Sequence, residues 1–241
     1  MYKNFHRKKE LKEVLKKNDW VANSLNGKVK SIITLKHNSI VKNGKVIKNK
    51  DTYALDRKTY ECFDLQGNME RSLVFDDREI RTVLCIPSYN SNNYVTGYKY
   101  YDSQDKLMSE CLIQYLDSGN VIEDWGSSGK NSIEYNLQKN TIVQLNYDAE
   151  DKLIWKDTYK YDSNANLIEF CNDLSKTISV FNLFENCIEE IEYDSNDNFC
   201  KKRIFNYKLD QNKNWIEKKE FLIENNIQIP QTILVRKITY Y

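Results

Sequence analysis

Apolar residues recur on two different periods along the chain. In residues 1–19, Leu11, Val14 and Leu15 fall on one helical face with lysines on the other, which predicts a short amphipathic helix capping one end of a sheet. From Trp20 onward the period drops toward two, in short runs broken by clusters of Asn, Asp and Ser that predict strands and turns. Leu25–Val29 and Val41–Val46 each place Asn-Gly between β-formers, the strongest short-range hairpin signal, because a type I′ turn needs positive φ at both central residues. Further on one unit recurs: an aromatic, Asp, four turn residues, then an apolar residue. It is seen in Phe63–Met69, Tyr147–Leu153 and Tyr161–Leu167.

The unit is periodic. Tyr101-Asp102, Tyr147-Asp148 and Tyr193-Asp194 lie 46 residues apart, as do Tyr89-Asn90, Tyr135-Asn136 and Phe181-Asn182. A third series, Asp117, Asp162 and Asp210, is spaced 45 and 48 residues. Three interleaved series on one period predict a repeat domain over residues 20–241, clearest in modules 102–147, 148–193 and 194–239, with three turns per module. The expected fold is all-β: an elongated, curved antiparallel sheet of repeated β-hairpins behind the N-terminal helix.

Asp or Asn opening a turn accepts hydrogen bonds from backbone N–H groups a little further on, and both tolerate the left-handed conformation. The chain regains an apolar residue five positions after the Asp, at Met69, Leu107, Leu153, Leu167, Phe199 and Trp215; Asp117 reaches Val121 after four. The aromatics ahead of these turns would become cross-strand neighbours. Tyr101, Tyr147, Tyr161 and Tyr193, with Trp155, are the candidate binding residues: the ladder reads first as a thin core and second as a stacking surface for sugars or a peptide.

At these residues the chain resembles the YD-repeat (Rhs-type) family. Tyr161-Asp162-Ser163-Asn164-Ala165-Asn166-Leu167 matches the family unit except for its turn glycine. Asn214-Trp215-Ile216 after Asp210, and Val235–Tyr241, are similar to the ends of bacterial YD-like proteins, so the resemblance covers residues 60–241. It implies a ribbon of antiparallel hairpins that, in large members, winds into a shell around a toxin. Three modules are too few for such a shell, and the family's repeats carry no catalytic motif to transfer.

Composition narrows the function classes. Charged residues make up 29% of 241, with 17 Tyr, 7 Gly and 2 Pro, and mean hydropathy is −0.72. That suits a thin core shared between neighbouring repeats. Residues 1–50 hold 14 Lys/Arg against 3 acids, while the rest hold 22 against 32. The basic stretch reads as solvated or lying on the chain's own acidic body, since no aromatics interleave with it as in a nucleic-acid groove. There is no apolar h-region and no 18-residue apolar run, so neither a signal peptide nor a membrane span is expected. Six scattered cysteines without a C-x-x-C pair then read as reduced thiols in a cytoplasmic protein.

Catalytic signatures are missing. His6 and His37 have no ligand-spaced partners, no metal or cofactor pattern is present, and Gly126-Ser127-Ser128-Gly129 lacks the Lys and helix of a phosphate loop, reading as a plain turn. The expected function is a non-catalytic protein-interaction module. One concrete form is an immunity protein that neutralises a cognate toxin, with the acidic body steering a basic partner. The alternative is a carbohydrate- or cell-wall-binding protein using its tyrosines. A third route is homo-oligomerisation through an open sheet edge.

Overall fold

The computed structural model describes Asp19 and residues 25–241, and of residues 50–57 the backbone alone. The helix expected over 1–19 lies outside the described residues, Asp19 excepted. The chain is a sixteen-strand meander, each strand antiparallel to the next. It begins with β1 (Val29–Lys42), β2 (Lys45–Phe63), β3 (Met69–Phe75), β4 (Arg81–Tyr89) and β5 (Val95–Tyr101). There follow β6 (Leu107–Tyr115), β7 (Val121–Asp124), β8 (Lys130–Asn136), β9 (Thr141–Tyr147), β10 (Leu153–Tyr161) and β11 (Leu167–Cys171). The last are β12 (Ser175–Phe181), β13 (Cys187–Asp194), β14 (Phe199–Leu209), β15 (Trp215–Glu224) and β16 (Ile227–Tyr240).

The all-β class matches expectation, but the open ribbon does not. β1 pairs with both β2 and β16, its Ile32 opposite Ile238 and its Leu35 opposite Val235, so the sheet closes into a barrel. The physical reason is accumulated twist and coiling: with enough strands the two edges meet, and pairing them satisfies backbone groups that an open ribbon would leave bare. The edge strands invoked for oligomerisation are therefore bonded to each other. Most strand contacts run between ring neighbours; in addition β2 touches β16, and Lys219 Nζ on β15 donates to Val46 O at 3.3 Å. A ring of sixteen strands is wide enough to leave an interior that side chains do not fill.

The turns carry the expected chemistry. In nine of them the Oδ1 of an Asp or Asn accepts from the backbone N–H groups two and four residues on, at 2.8–3.1 Å: Asp64, Asp76, Asn90, Asp102, Asp148, Asp162, Asn182, Asp194 and Asp210. The fourth residue of each is left-handed, with φ of 59–87°, and only at position 67 is it glycine. The same backbone shape forms without the glycine because the Asx acceptor and the closing backbone bonds hold it. Asp117 departs because its turn starts one residue earlier: Leu116 N–H bonds Asn120 O, and Gly119 supplies the left-handed position at φ 88°.

Modules 102–147 and 148–193 each span four strands and four turns, one turn more than expected, while 194–239 holds three strands and three turns. The turns outside the three series are the 3₁₀ turn Gly126–Ser128 between β7 and β8, where the sequence reads as a plain turn, and the short Asn172–Ser175 connection, which it does not mark; neither is preceded by an aromatic-Asx pair. Gly129 closes the first at φ 96°, where a Cβ would lie 2.1 Å from Tyr147 O. Asn43-Gly44 forms the predicted hairpin, at φ 52° and 70°. Asn26-Gly27 does not lie between paired described strands; it leads into β1, and Asn26 is tied to Asn214 by two hydrogen bonds of 2.7–2.8 Å.

Alternation assigns the two faces. Cys85, Pro87, Cys111 and Phe205 are buried while Ile86, Ser88, Leu112 and Asn206 beside them are exposed, so the first set faces inward. The outer wall is studded with charge in mid-strand, including the pairs Lys99–Glu110 at 3.4 Å and Lys202–Glu189 at 2.7 Å. Fully buried apolar side chains are few. Their main cluster, Val29, Ile32 and Phe63 with Leu25, Met69, Ile238 and Tyr240, sits at the β1–β16 seam where the chain enters and leaves.

Candidate functional site

The register separates the predicted tyrosines by barrel end. At the end where the chain enters and leaves, the residue before the turn points inward: Phe63, Tyr89, Tyr115, Tyr135 and Tyr161 form an internal girdle. At the far end it points outward, as for Tyr101, Tyr147 and Tyr193. These outer rings are half-buried under neighbours. Lys130 Nζ lies 5.9 Å from the Tyr147 ring and bonds Asp151 at 2.7 Å. One module later Lys176 lies 5.3 Å from the Tyr193 ring and pairs with Asp197. At Tyr101 the lysine is replaced by Leu84, and Arg81 reaches Asp105 at 2.6 Å instead. These three positions are rim supports and do not form a common surface.

Tyr161 and Trp155 face the interior. Burial pushes the Tyr161 phenol up to about 12, and the same cause raises Tyr89, Tyr115 and Tyr135. The girdle phenols thus stay neutral hydrogen-bonding groups. Tyr89 donates to Asp19 Oδ2 at 2.8 Å, which also accepts from Met69 N–H at 2.6 Å.

Above the girdle, towards the far end, a band of aromatic and polar groups runs along the inner wall from β5 to β10. Tyr98 and Tyr100 lie side by side at 6.4 Å, and Tyr100 stacks on Trp125 with centroids 5.9 Å apart and planes 30° from parallel. Next comes a polar chain: Asn146 Nδ2 donates to Asn131 Oδ1, and Asn131 Nδ2 donates to Glu123 Oε2 at 3.0 Å. Trp155 pairs with Asn146 and is 45% exposed to the interior, which ends the band on a second indole. Burial, then the Cys85 thiol, raises the Tyr100 phenol to about 12. Burial first, and then nearby acids including Glu123, also raises Tyr98. The band offers neutral hydroxyls, two amides, one carboxylate and aromatic faces.

The opposite wall is ionic. Arg203 is enclosed by Glu190 at 2.8 Å, Glu192 at 3.3 Å and Glu220 at 3.7 Å, and Lys201 pairs with Glu192 at 2.9 Å. Among the described residues no group of three or more His, Cys, Asp or Glu could hold a metal ion.

Of the predicted residues, the inner band contains only Trp155. Tyr98, Tyr100, Glu123, Trp125 and Asn131 lacked the aromatic-Asx signature that drew attention to the turns. The available signal was the alternation Tyr98-Lys99-Tyr100, two aromatics on one strand face.

No family model and no curated protein matches this chain. Three solved structures share a shallow likeness. A porin-like protein from Bacteroides uniformis is 11% identical over 88% of this chain and 96% of its own, with a TM-score of 0.39. The Photorhabdus luminescens Tc holotoxin pore is 12% identical over 84% of this chain and 12% of its own, with a TM-score of 0.33. A DUF1329 family protein from Desulfovibrio piger is 12% identical over 88% and 86%, with a TM-score of 0.32. Likeness at that level carries no functional argument.

Proposed function

We propose that this chain is a non-catalytic binding protein that holds a carbohydrate against the inner wall of its barrel. The observation that carries this reading is the band from Tyr98 to Trp155. Sugars present apolar C–H faces and dense hydroxyls, and the band matches them with stacked rings at Tyr100–Trp125 and an ordered amide–carboxylate chain at Asn146–Asn131–Glu123. The charged outer wall supports a barrel standing in water. Lys or Arg facing lipid costs about 2–4 kcal/mol at a bilayer midplane, less near the interfaces, and the mid-strand outward Lys156 and Lys202 would bear a share of that cost. Among the described residues no helix is long and apolar enough to cross a membrane.

The test is a glycan array followed by calorimetry on any hit. Tyr100→Ala and Trp125→Ala should each weaken binding several-fold to about 10-fold, at about 0.5–1.5 kcal/mol per stacked ring, while Tyr147→Ala on the outer rim leaves it unchanged. Equal loss from Tyr147→Ala, or no glycan retained by the folded wild type, would overturn the proposal. A second reading, binding of a protein partner such as a toxin, is favoured by the β12–β13 turn, where Leu183 is 92% and Phe184 48% exposed. Capture of a cognate partner lost on Leu183→Ser would select it.

A further inference from the structure

Two cations on the inner wall are held in place without being neutralised. Arg236 on β16 lies flat over Trp215, its guanidinium carbon 3.6 Å from the ring centroid, and its buried Nε has no hydrogen-bond partner. Lys218 on β15 holds its ammonium 4.0 Å from the Phe205 centroid and 5.9 Å from that of Tyr207. Lys218 sits opposite Leu234, which places Arg236 at the diagonal position on the same face, within reach of a long side chain. No described residue gives either group a hydrogen bond or an ion pair.

The contrast with Arg203, one strand away, is informative. That guanidinium is enclosed by three carboxylates, and the acids nearest Lys218 are already committed: Glu190 to Arg203, and Glu220 to Arg203 and to Thr232 Oγ1 at 2.8 Å. Glu61, facing inward from β2, influences Arg236 at a distance without pairing with it, and its own carboxyl is raised by burial. Burial lowers Arg236 to about 10 and lowers Lys218 as well; Glu190 and Glu220 oppose the shift at Lys218, to which the Arg236 charge adds. Two desolvated like charges on aromatic platforms are costly to an empty protein. They are well arranged for an oxyanion, since cation–π contacts fix the cations while leaving N–H donors free.

We propose that Arg236 and Lys218 form an anion site on the barrel's inner wall that takes the carboxylate or phosphate group of a ligand. The site stands on its own geometry, across the barrel from the aromatic band, and holds whether or not that band binds sugars.

The experiment is calorimetric titration of the full chain at low salt with inorganic phosphate, with glucuronate and with glucose. Saturable binding of phosphate, glucuronate or both that Arg236→Met and Lys218→Met weaken, with any glucose binding left unchanged by those substitutions, is the expected result, and the pattern separates a phosphate-bearing from a carboxylate-bearing ligand. Arg236→Met and Lys218→Met should each weaken it about 10–100-fold, the scale of one charge-assisted hydrogen bond, while Lys208→Met on the exposed outer face changes nothing. A thermal-shift arm guards against misfolding. Without anion, Arg236→Met should melt at or above the wild-type temperature, because it removes a buried unpaired charge, and phosphate should stabilise only the wild type. No saturable binding of either oxyanion by folded wild type would overturn the proposal. So would equal binding by Arg236→Met, or a lowered melting temperature of that variant together with an unshifted wild type.

Discussion

Ala165 tests whether the turns hold their shape against the intrinsic preference of the residues in them. It occupies the left-handed fourth position of the Asp162 turn at φ 63°, where the related position 67 has glycine at φ 87°. A Cβ in that region costs roughly 1–2 kcal/mol. Ala165→Gly would recover this, less roughly 0.4–1 kcal/mol for the freer unfolded chain and less about 0.4 kcal/mol for half of a buried methyl. The expected net is a stabilisation of about 0.5 kcal/mol, or 1–2 °C for a chain of this size. Gly119 provides the reverse experiment: at φ 88°, with open space where a Cβ would stand, Gly119→Ala adds strain and no new contact. It should cost about 1 kcal/mol, roughly 2–4 °C. Urea unfolding by circular dichroism reads both as shifts of midpoint at constant slope. A lower midpoint for Ala165→Gly, or a higher one for Gly119→Ala, would refute the view that the Asx bonds impose the conformation on an unwilling residue.

Asn214 clamps the seam: its side chain accepts from Asn26 N–H at 2.8 Å and donates to Asn26 O and to Tyr240 Oη at 2.7 Å. Asn214→Ala should therefore cost about 3 kcal/mol, at about 1 kcal/mol per bond. Asn166→Ala, which loses one side-chain bond to Asp162, should cost about 1 kcal/mol on the same urea assay. Hydrogen bonds hold Asp76, Asp102 and Asp194 below the usual carboxylate range: from Ile80 N–H and Lys106 N–H foremost for the first two, and from the Asn198 side chain for the third. A depressed folded pKa gives stability that is full above the unfolded value, about 4, and lost as pH falls through the folded one. Asp194→Asn keeps the acceptor, as Asn182 does, so its stability should fall less steeply between pH 4 and pH 2, about two units; an unchanged acid limb would contradict this. All six cysteines are free. Burial raises Cys85, and raises Cys111 to about 12, so a thiol reagent near pH 8, about the range where a free thiol begins to ionise, should label exposed Cys200 at once and those two only on unfolding.

The turns were readable because each is a local device. Asp148 or Asp162 closes its loop with atoms from the next four residues, so spacing alone reveals it. The turn at Asn172–Ser175 escaped because Cys171, not an aromatic, precedes its Asn, whereas Gly126–Gly129 was legible as a turn but lay outside the series because Gly, not Asx, follows Trp125. Closure was not readable, since no local pattern marks Leu35 and Val235 as partners across 200 positions. Face assignment depended on closure too. Tyr147 and Tyr161 stand in identical units fourteen residues apart, yet one is a rim support and the other lines the interior, because the turns alternate between the two ends of the barrel. Trp155, a candidate binding residue in the sequence, lies on the inner wall, but the chain of Asn146, Asn131 and Glu123 is brought to the same wall only through the register of β7 to β10.

The seam between β1 and β16 also sets the order in which this protein must be finished. Every other strand pairs with its sequence neighbour, so most of the sheet can zip up locally as the chain emerges. The final pairing joins strands about 200 residues apart in sequence, Leu35 opposite Val235, a step of high loop-closure cost that comes last. Until Tyr240 is available, the growing sheet carries two bare edges, the state most exposed to pairing with a neighbouring chain. Asn214, bonded to both Asn26 and Tyr240, is in that sense a latch that engages only once β16 has been made.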